Sequence, residues 1–406
     1  MPNTKPNKRF LLSRVFVTGI GIISAIGDTV AKNREALINK KCGIGALTLF
    51  NTKYTGLRPC GEIKVETHEL KNKLRAHEKG VTRSSLLALH AFKEAVADAA
   101  LSANDLSSPH TALIGASTVG GMCLTDELYN DANRSENGSE YLSSYDCASV
   151  DLYLQLRYGI GGVINTINTA CSSSSNAIMY GARLLKNGLA KRVIAGGTDS
   201  LAKFTINGFN ALHILSPEKC TPFDRDRNGL NLGEAAAFLV LEKEEDIAGK
   251  KLYAELTGYG NSNDAFHPSS LSDEGDGPFL CMQKALQKAQ LPASAISFIN
   301  AHGTATENND AVESKAMVRL FGISPPFVST KANTGHTLGA AGAVEAVFSV
   351  LNLYHQEIYP GLHFSNAIET TGLKPEIIYR QTPLQHVMSN SFGFGGNCTS
   401  LIFSKV

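Results

Sequence analysis

Apolar runs and amphipathic stretches alternate along this chain. Residues 15–25 are almost continuously apolar around two glycines, which is typical of a strand buried on both faces that ends in a tight turn. Residues 81–100 instead repeat apolar side chains at helical spacing. These are Leu86, Leu89, Phe92, Ala95 and Val96. Residues 111–116 are again continuously apolar, so this part of the chain predicts the order strand, helix, strand.

The same alternation continues through the rest of the chain. It predicts further strands at 163–168, 192–195, 254–259, 296–300, 327–330 and 400–403, and further helices at 177–189, 278–289, 309–320 and 339–354. Pro278 suits a first helical position, where its missing N–H costs nothing. Strands that alternate with helices are what a layered α/β protein requires.

The two rounds of this pattern resemble each other. Cys171 follows a predicted strand and precedes a helix of small residues, and the segments that carry His302 and His336 are built comparably in the second round. We therefore expect an internal duplication with a site between the halves, which would span residues 15–250 and 251–406. Residues 1–14 are basic but lack the apolar segment and cleavage site of a signal peptide, and we expect a short disordered lead.

Composition and charge exclude several classes of protein. The chain has 406 residues, 43% of them hydrophobic, and a formal net charge of +1, so nucleic-acid binding is not indicated. No run approaches the roughly 18 apolar residues of a membrane span. We expect a soluble, cytoplasmic protein. Its eight cysteines are scattered singly, which indicates neither a disulfide framework nor a zinc site.

Cys171 lies where a predicted buried strand meets a helix, within residues 169–175 (TACSSSS). Unpaired backbone N–H groups and the positive end of the helix dipole favour a thiolate there, as a nucleophile needs. The neighbouring serines suit a helix N-terminus, where hydroxyls satisfy unpaired donors. Position alone leaves open the alternative that Cys171 is an ordinary buried thiol, because most cysteines in such chains are small buried apolar residues.

Two histidines and a lysine lie near the ends of other predicted strands. His302 follows the strand at 296–300, and Lys331 and His336 lie in residues 331–336. A neutral histidine can donate a hydrogen bond to a developing oxyanion, and two together would stabilise the enolate left by a decarboxylation. Singly, each histidine is more often a satisfied buried residue, and a lysine is more often solvated. Their joint arrangement favours catalysis.

Phenylalanine and glycine alternate in residues 390–397 (NSFGFGGN). The pattern is typical of a flexible turn beside a strand. It also permits an aromatic ring to swing over a neighbouring pocket.

Together these segments closely resemble the elongating β-ketoacyl-[acyl-carrier-protein] synthases, the I/II type of the thiolase superfamily. The resemblance extends from about residue 14 to residue 403. It rests on VTGIG at 17–21, TACSSSS at 169–175, PFDRDRNG at 222–229, AHGTAT at 301–306, KANTGHTLGAAGAVEA at 331–346 and NSFGFGG at 390–396. It implies an α/β fold, the thiolase-like five-layered αβαβα sandwich of two similar halves, and a catalytic group of Cys171, His302 and His336.

The resemblance also implies the reaction. An acyl group moves from the phosphopantetheine thiol of an acyl carrier protein (ACP) to the cysteine, and malonyl-ACP then enters. The histidines stabilise the enolate formed as CO2 departs, and the carbanion attacks the thioester. The product is a 3-oxoacyl-ACP two carbons longer. No cofactor is expected for the chemistry, since decarboxylation drives it and the phosphopantetheine arm only carries substrate.

Further roles follow from the same motifs. Lys331 would support the electrostatics of His302, with Glu313 near it. The N–H groups of Cys171 and Phe394 would form the oxyanion hole. The substrate-binding residues would be Thr304 and Thr306 at the pantetheine amides, Phe392 and Phe394 as gates of the acyl pocket, and Val119 in its lining. Asn300, Glu345, Ser389 and Asn390 fall where some members hold a structural monovalent cation.

Three departures from the family pattern suggest a specialised branch. Asn397-Cys398 replaces the usual Thr-Asn, residues 233–237 read GEAAA in place of Gly-Glu-Gly-Ala-Gly, and Ser24-Ala25 replaces Ser-Pro. None of them touches the catalytic group. Our hypothesis is a synthase of a polyketide or polyene pathway rather than of housekeeping fatty acid synthesis.

The same residues bear on alternative functions and assemblies. A thiolase would use a second cysteine as base, and initiating synthases use Cys-His-Asn, which His336 argues against. The non-catalytic chain-length partner of type II polyketide systems typically lacks the cysteine. We expect ACP as a partner through electrostatic steering. We also expect a homodimer, or a heterodimer with a related ketosynthase-like chain.

Overall fold

Each half of the chain contributes five strands to the main sheet. The computed structural model describes residues 13–406 except 135 and 137, so most of the predicted disordered lead lies outside the described residues. The elements up to residue 243 are β1 (Val15–Ser24), α1 (Val30–Ile38), β2 (Ile44–Gly45), β3 (Cys60–Gly61), α2 (Thr67–Leu74), α3 (Arg83–Asp98), α4 (Ala103–Ser107), β4 (Thr111–Ala116), α5 (Thr125–Arg134), α6 (Ser149–Tyr158), β5 (Ile164–Ile167), α7 (Ser173–Lys186), β6 (Arg192–Asp199), α8 (Lys203–Ala211) and β7 (Ala235–Lys243).

The second set of elements begins at residue 254. It comprises β8 (Ala254–Asn263), α9 (Asp276–Ala289), β9 (Phe298–Asn300), α10 (Glu307–Phe321), β10 (Phe327–Val328), α11 (Lys331–Thr334), α12 (Ala341–His355), β11 (Glu357–Ile358), β12 (Arg380–Gln381), β13 (His386–Phe392) and β14 (Asn397–Ser404). The boundary predicted between residues 250 and 251 falls between β7 and β8.

The strand order repeats between the two halves. The main sheet has the order β10-β9-β13-β14-β8-β1-β7-β6-β4-β5. Numbered within its own half, each set of five runs third, second, fourth, fifth, first. In both sets, the three outer strands are parallel to one another, and each of the next two strands is antiparallel to the strand before it. The predicted duplication is therefore visible in the topology, and the halves join through two residue pairs between β1 and β8.

Three apolar cores separate the layers. Helices α7 and α12 pack in the central core between the two sets of strands, α3 and α6 cover the first set, and α9 and α10 cover the second. Successive side chains of β7 enter different cores, with Leu239 central and Phe238 peripheral. A strand covered on both faces needs apolar residues at every position, which explains its continuous apolar run. The expected five-layered αβαβα sandwich is confirmed.

Several predicted boundaries shift. Helix α9 begins at Asp276, so Pro278 lies third in the helix and not first; its missing N–H is still harmless there, because first-turn N–H groups have no helical partner. Strand β10 ends at Val328, and the residues from Lys331 onward form α11 instead. Strands β7 and β13 were not predicted. Among the described residues, no helix is both long and apolar enough to cross a membrane.

Candidate active site

Cys171 lies in a sharp turn between β5 and α7. Ala170, just before it, has a φ of 53°, a left-handed conformation that costs a residue with a side chain on the order of 1–3 kcal/mol. Ser173 steadies this turn, because its hydroxyl oxygen lies 2.8 Å from the N–H of Thr169 and 2.5 Å from the carbonyl of Ala170. The predicted hydroxyl cap is absent at Ser172, the residue before the helix. Its hydroxyl instead lies 2.8 Å from the carbonyl of Thr169.

The thiol of Cys171 is buried and neutral in the free site. Burial raises its pKa to about 11, although the N–H of Phe394, the charge of Lys331 and its own N–H act in the opposite direction. The position at a helix start was expected to favour the thiolate, but loss of hydration outweighs that effect here. The same two N–H groups were predicted to form the oxyanion hole, and both interact with the sulfur.

His302 and His336 come to the same point from the second half. One ligand atom from each imidazole and the sulfur of Cys171 all lie within 4.8 Å of one another. The two rings are perpendicular, with centroids 5.5 Å apart. Burial lowers the pKa of both histidines well below the usual value, and the charge of Lys331 adds to the effect. Both imidazoles are therefore neutral near pH 7.

Both imidazoles are held in the same tautomer. Nδ1 of His302 lies 3.1 Å from Nζ of Lys331, and Nδ1 of His336 accepts the N–H of Leu338 at 3.1 Å. An ammonium or amide N–H can only donate. Each Nδ1 is thus an acceptor, and each Nε2 carries the proton. A cysteine and two histidines can in principle bind zinc, but protonated Nε2 atoms suit hydrogen-bond donation and not metal ligation.

Two buried glutamates support this arrangement in different ways. Glu345 forms the ion pair with Lys331. Glu313 accepts the N–H groups of His302 at 2.9 Å and Gly303 at 2.8 Å, which holds the backbone that carries the imidazole. The carboxylate that pairs with Lys331 is therefore Glu345, whereas Glu313 contacts the backbone of His302. Burial raises the pKa of both glutamates to about 7.

A cavity of about 700 Å³ opens above Cys171, His302 and His336. The predicted site residues in its lining are Cys171, His302, His336, Thr304, Thr306, Phe392 and Phe394. The hydroxyls of Thr304 and Thr306 lie 2.8 Å apart at the side of the cavity. Val119 is not in this lining. It lies in a separate apolar cluster with Leu201 and Leu338, so its place in an acyl pocket stays a prediction.

The two phenylalanines of the glycine-rich loop have different surroundings. Phe392 is buried against His302, with ring centroids 5.6 Å apart. Phe394 is only partly buried and stacks on Phe209 of α8 at 5.9 Å. A side chain at Gly393 would come within 2.7 Å of the carbonyl of Thr169, so only glycine lets the loop approach the turn that carries Cys171. Phe209 was not indicated by the sequence pattern.

The predicted cation ligands contain orphaned oxygens. Oδ1 of Asn300, Oε2 of Glu345 and Oγ of Ser389 are all buried without a hydrogen-bond partner. Asn300 and Ser389 are paired across β9 and β13, and the side-chain amide of Asn300 reaches the carbonyl of Glu345. Buried oxygens without partners suit a hard cation. Asn390 fits less well, because its side-chain oxygen already accepts the hydroxyl of Ser400 at 2.8 Å.

Asp199 is a supporting residue that the sequence did not indicate. It is fully buried at the end of β6 and binds the Thr118 turn and the N–H of Gly339. It thus joins the first half to the segment after His336. An aspartate that ends a buried strand was the available signal.

Comparison with known proteins gives concordant matches. The family model described as beta-ketoacyl synthase, N-terminal domain, matches residues 12–247, and its C-terminal domain model matches residues 253–365. The 3-oxoacyl-[acyl-carrier-protein] synthase 2 of Vibrio cholerae is 33% identical, over 97% of this chain and 99% of that protein.

Solved structures resemble the chain over almost its whole length. The ishigamide ketosynthase/chain length factor has a TM-score of 0.90 at 28% identity, covering 97% of this chain and 99% of that one. The ketosynthase ApeO in complex with its chain length factor ApeC, from Xenorhabdus doucetiae, has a TM-score of 0.82 at 31% identity, with both chains fully covered.

Proposed function

The chain belongs to the beta-ketoacyl synthase family, and from this we propose that Cys171, His302 and His336 catalyse its decarboxylative Claisen condensation. The enzyme is a β-ketoacyl-ACP synthase, which joins an acyl thioester to malonyl-ACP and releases 3-oxoacyl-ACP and CO2. The observation that carries the assignment of residues is the approach of one sulfur and two imidazole nitrogens within 4.8 Å at the base of a cavity.

In the first step, Cys171 attacks the acyl thioester of the carrier. The thiol proton passes to the departing phosphopantetheine sulfur, and an acyl-cysteine forms. The N–H groups of Cys171 and Phe394 are proposed to bind the oxyanion, since both already point at the sulfur. Fixed donors in a buried site stabilise such a charge without reorganising.

In the second step, the histidines act on malonyl-ACP. Their two Nε2–H groups are proposed to donate to the thioester oxygen of the malonyl unit. Loss of CO2 places negative charge on that oxygen. Neutral imidazoles can donate hydrogen bonds to it without transferring their protons. The enolate carbon then attacks the acyl-cysteine, the C–S bond to Cys171 breaks as the C–C bond forms, and the released thiolate takes up a proton from water. We propose that no cofactor is required, because decarboxylation supplies the driving force.

Other residues are proposed to bind the substrate arm and a cation. Thr304 and Thr306 would hydrogen-bond the pantetheine amides from the wall of the cavity, and Phe394 would gate the entrance. Asn300, Glu345 and Ser389 would hold a monovalent cation through their orphaned oxygens. Such a cation would supply the partner that these oxygens lack and stabilise the fold there.

A specialised pathway is the second proposal. Structures titled as ketosynthases with chain length factors match this chain at TM-scores of 0.90 and 0.82. We propose that the chain elongates a polyketide or polyene on ACP, as a homodimer or with a chain-length partner. A cytoplasmic location stays a prediction. A clear preference for saturated acyl chains over unsaturated or aryl-primed ones would remove the pathway proposal.

Intact-mass measurement tests whether Cys171 is the nucleophile that accepts the acyl group. Mixing the protein with acyl-ACP should add one acyl group, and proteolysis should locate it on Cys171. A non-catalytic chain-length subunit would gain no acyl group, so an absent adduct would remove the proposed enzyme function.

A further inference from the structure

Asn397 lies between the nucleophile turn and the loop that carries Phe394. Its side-chain oxygen is 2.8 Å from the hydroxyl of Ser172, 2.8 Å from the amide nitrogen of Asn176 and 2.9 Å from that of Asn261. Ser172 directly follows Cys171, and Asn176 lies in the first turn of α7. One oxygen therefore gathers donors from the start of the nucleophile helix and from β8.

The backbone of Asn397 holds the other side of this junction. Its carbonyl accepts the N–H of Gly393 at 2.8 Å, and the N–H of Gly396 returns to the carbonyl of Gly393 at 3.1 Å. These bonds close the loop that spans residues 393–396. The N–H of Phe394, in the middle of that loop, interacts with the sulfur of Cys171. Asn397 is thus bonded both to the oxyanion-hole loop and to the residue after the nucleophile.

The surrounding network is largely buried. Asn261 donates to Thr399 at 2.9 Å as well as to Asn397, and both Asn261 and Thr399 reach the side-chain oxygen of Asn176. The network also extends into the turn before α7, because the amide nitrogen of Asn176 lies 2.9 Å from the hydroxyl of Thr169. Hydrogen bonds that share partners in this way restrict the geometry of the side chains that make them. Position 397 is one where the sequence departs from the usual Thr-Asn of the resembling family. The side chain present here reaches one bond further than that of a threonine.

We propose that Asn397 is a positioning residue, which sets the N–H of Phe394 at hydrogen-bond distance from the acyl oxygen on Cys171. The proposal rests on the proposed function and deepens it. Asn397 acts on acyl transfer, which needs the oxyanion hole. The structure records no hydrogen bond from its side chain to His302 or His336, which serve decarboxylation.

Because Asn397 is proposed to act on acyl transfer and not on decarboxylation, its loss should slow only the first of these two reactions. Loss of an oxyanion-hole donor lowers a rate about 10²- to 10³-fold, and a donor displaced by about 1 Å costs somewhat less. In Asn397→Ala, acylation of Cys171 should slow about 10- to 100-fold. Decarboxylation of malonyl-ACP supplied without an acyl donor should stay within about threefold of wild type. A merely structural defect would lower both rates together.

Asn397→Asp provides the rescue. Oδ1 has a fourth, longer contact with the hydroxyl of Thr399 at 3.5 Å, and all four partners can donate to it, so a carboxylate can replace the amide oxygen. Rates are compared at the plateau of each pH profile, because an added carboxylate raises the pKa of a nearby thiol. Asn397→Asp should recover most of the acylation rate lost in Asn397→Ala. Asn366→Ala, at an exposed asparagine outside this network, is the matched control and should acylate like wild type.

The experiment uses the full chain, with rapid-quench intact mass for acylation and acetyl-ACP formation for decarboxylation. Selective loss of acylation in Asn397→Ala with recovery in Asn397→Asp supports the proposal. Equal loss of both rates, no loss, or no recovery overturns it. If the wild-type chain forms no adduct on Cys171, the proposed function itself fails. If Cys171 is acylated in the wild type and at the same rate in Asn397→Ala, only this inference fails.

Discussion

Nζ of Lys331 lies 3.1 Å from Nδ1 of His302 and 2.5 Å from the carbonyl oxygen of the same residue. A buried cation therefore selects the Nε2–H tautomer of His302. His336 reaches the same tautomer through a backbone N–H, that of Leu338. The two imidazoles present the same donor to the cavity but depend on different supports, so they should respond differently to mutation.

Lys331→Met combined with Glu345→Gln should slow decarboxylation. The pair is changed together because a buried charge left alone would destabilise the fold by about 3–5 kcal/mol. Without the ammonium, His302 is free to adopt the other tautomer, and the rate should fall about 10- to 100-fold, less than for loss of a direct donor. Acetyl-ACP formation from malonyl-ACP measures it. Lys315→Met, which changes another lysine of the cavity lining, is the control, and an equal loss there would contradict the assignment.

His302→Ala and His336→Ala should each abolish most decarboxylation while leaving Cys171 able to accept an acyl group. Each variant removes one enolate donor, so a loss of about 10²- to 10³-fold is expected. Intact mass should still detect the acyl adduct, since the oxyanion hole is unchanged. His363→Ala, at an exposed histidine, should match wild type. A loss of acylation equal to the loss of decarboxylation would show that the histidines do not have the proposed role.

Alkylation of Cys171 should accelerate steeply with pH. Burial raises the thiol pKa to about 11, so the reactive thiolate is a small fraction at pH 7 and grows about tenfold per pH unit below that value. Iodoacetamide labelling, followed by peptide mass between pH 7 and 9.5, should show this slope. A plateau reached below pH 8.5 would mean that the site lowers the thiol pKa.

Monovalent cations should stabilise the protein through the orphaned oxygens. Replacing choline chloride by potassium or sodium chloride at constant ionic strength should raise the unfolding midpoint, because an ion bound only to the folded state stabilises it by about 2.7 kcal/mol at 100 times its Kd. Ser389→Ala should weaken the response. Ser365→Ala, at an exposed serine, should retain it. An identical response in both variants would remove the proposed cation site.

Local pattern was sufficient for most of the strands that are covered by apolar layers and for the candidate site residues near their ends, although β7 was missed despite its continuous apolar run. Strand β4 is buried along its whole length, so its apolar run could be recognised. Strand β13 could not, because buried polar residues interrupt its apolar pattern and their surroundings are set by distant elements. Ser391, for example, lies 2.8 Å from the hydroxyl of Ser175 in α7. No local periodicity reports such a contact.

The partners of the proposed catalytic residues were the least predictable part of the site. Glu313 and Glu345 both lie on helices near Lys331 in the sequence, and only the packing of α10 and α12 decides which of them reaches the ammonium group. The pKa of the Cys171 thiol was unpredictable for the same reason. The favourable helix dipole is a local feature, but burial is a property of the whole fold. Geometry over long sequence separations settles both questions.

The product of one condensation tests the central assignment most directly. The full chain is incubated with acyl-ACP and malonyl-ACP, and the carrier-bound products are identified by mass. Wild type should give 3-oxoacyl-ACP two carbons longer than the acyl donor, whereas Cys171→Ala should give none while still converting some malonyl-ACP to acetyl-ACP. Condensation by Cys171→Ala would contradict the account, because the acyl group would then be carried elsewhere.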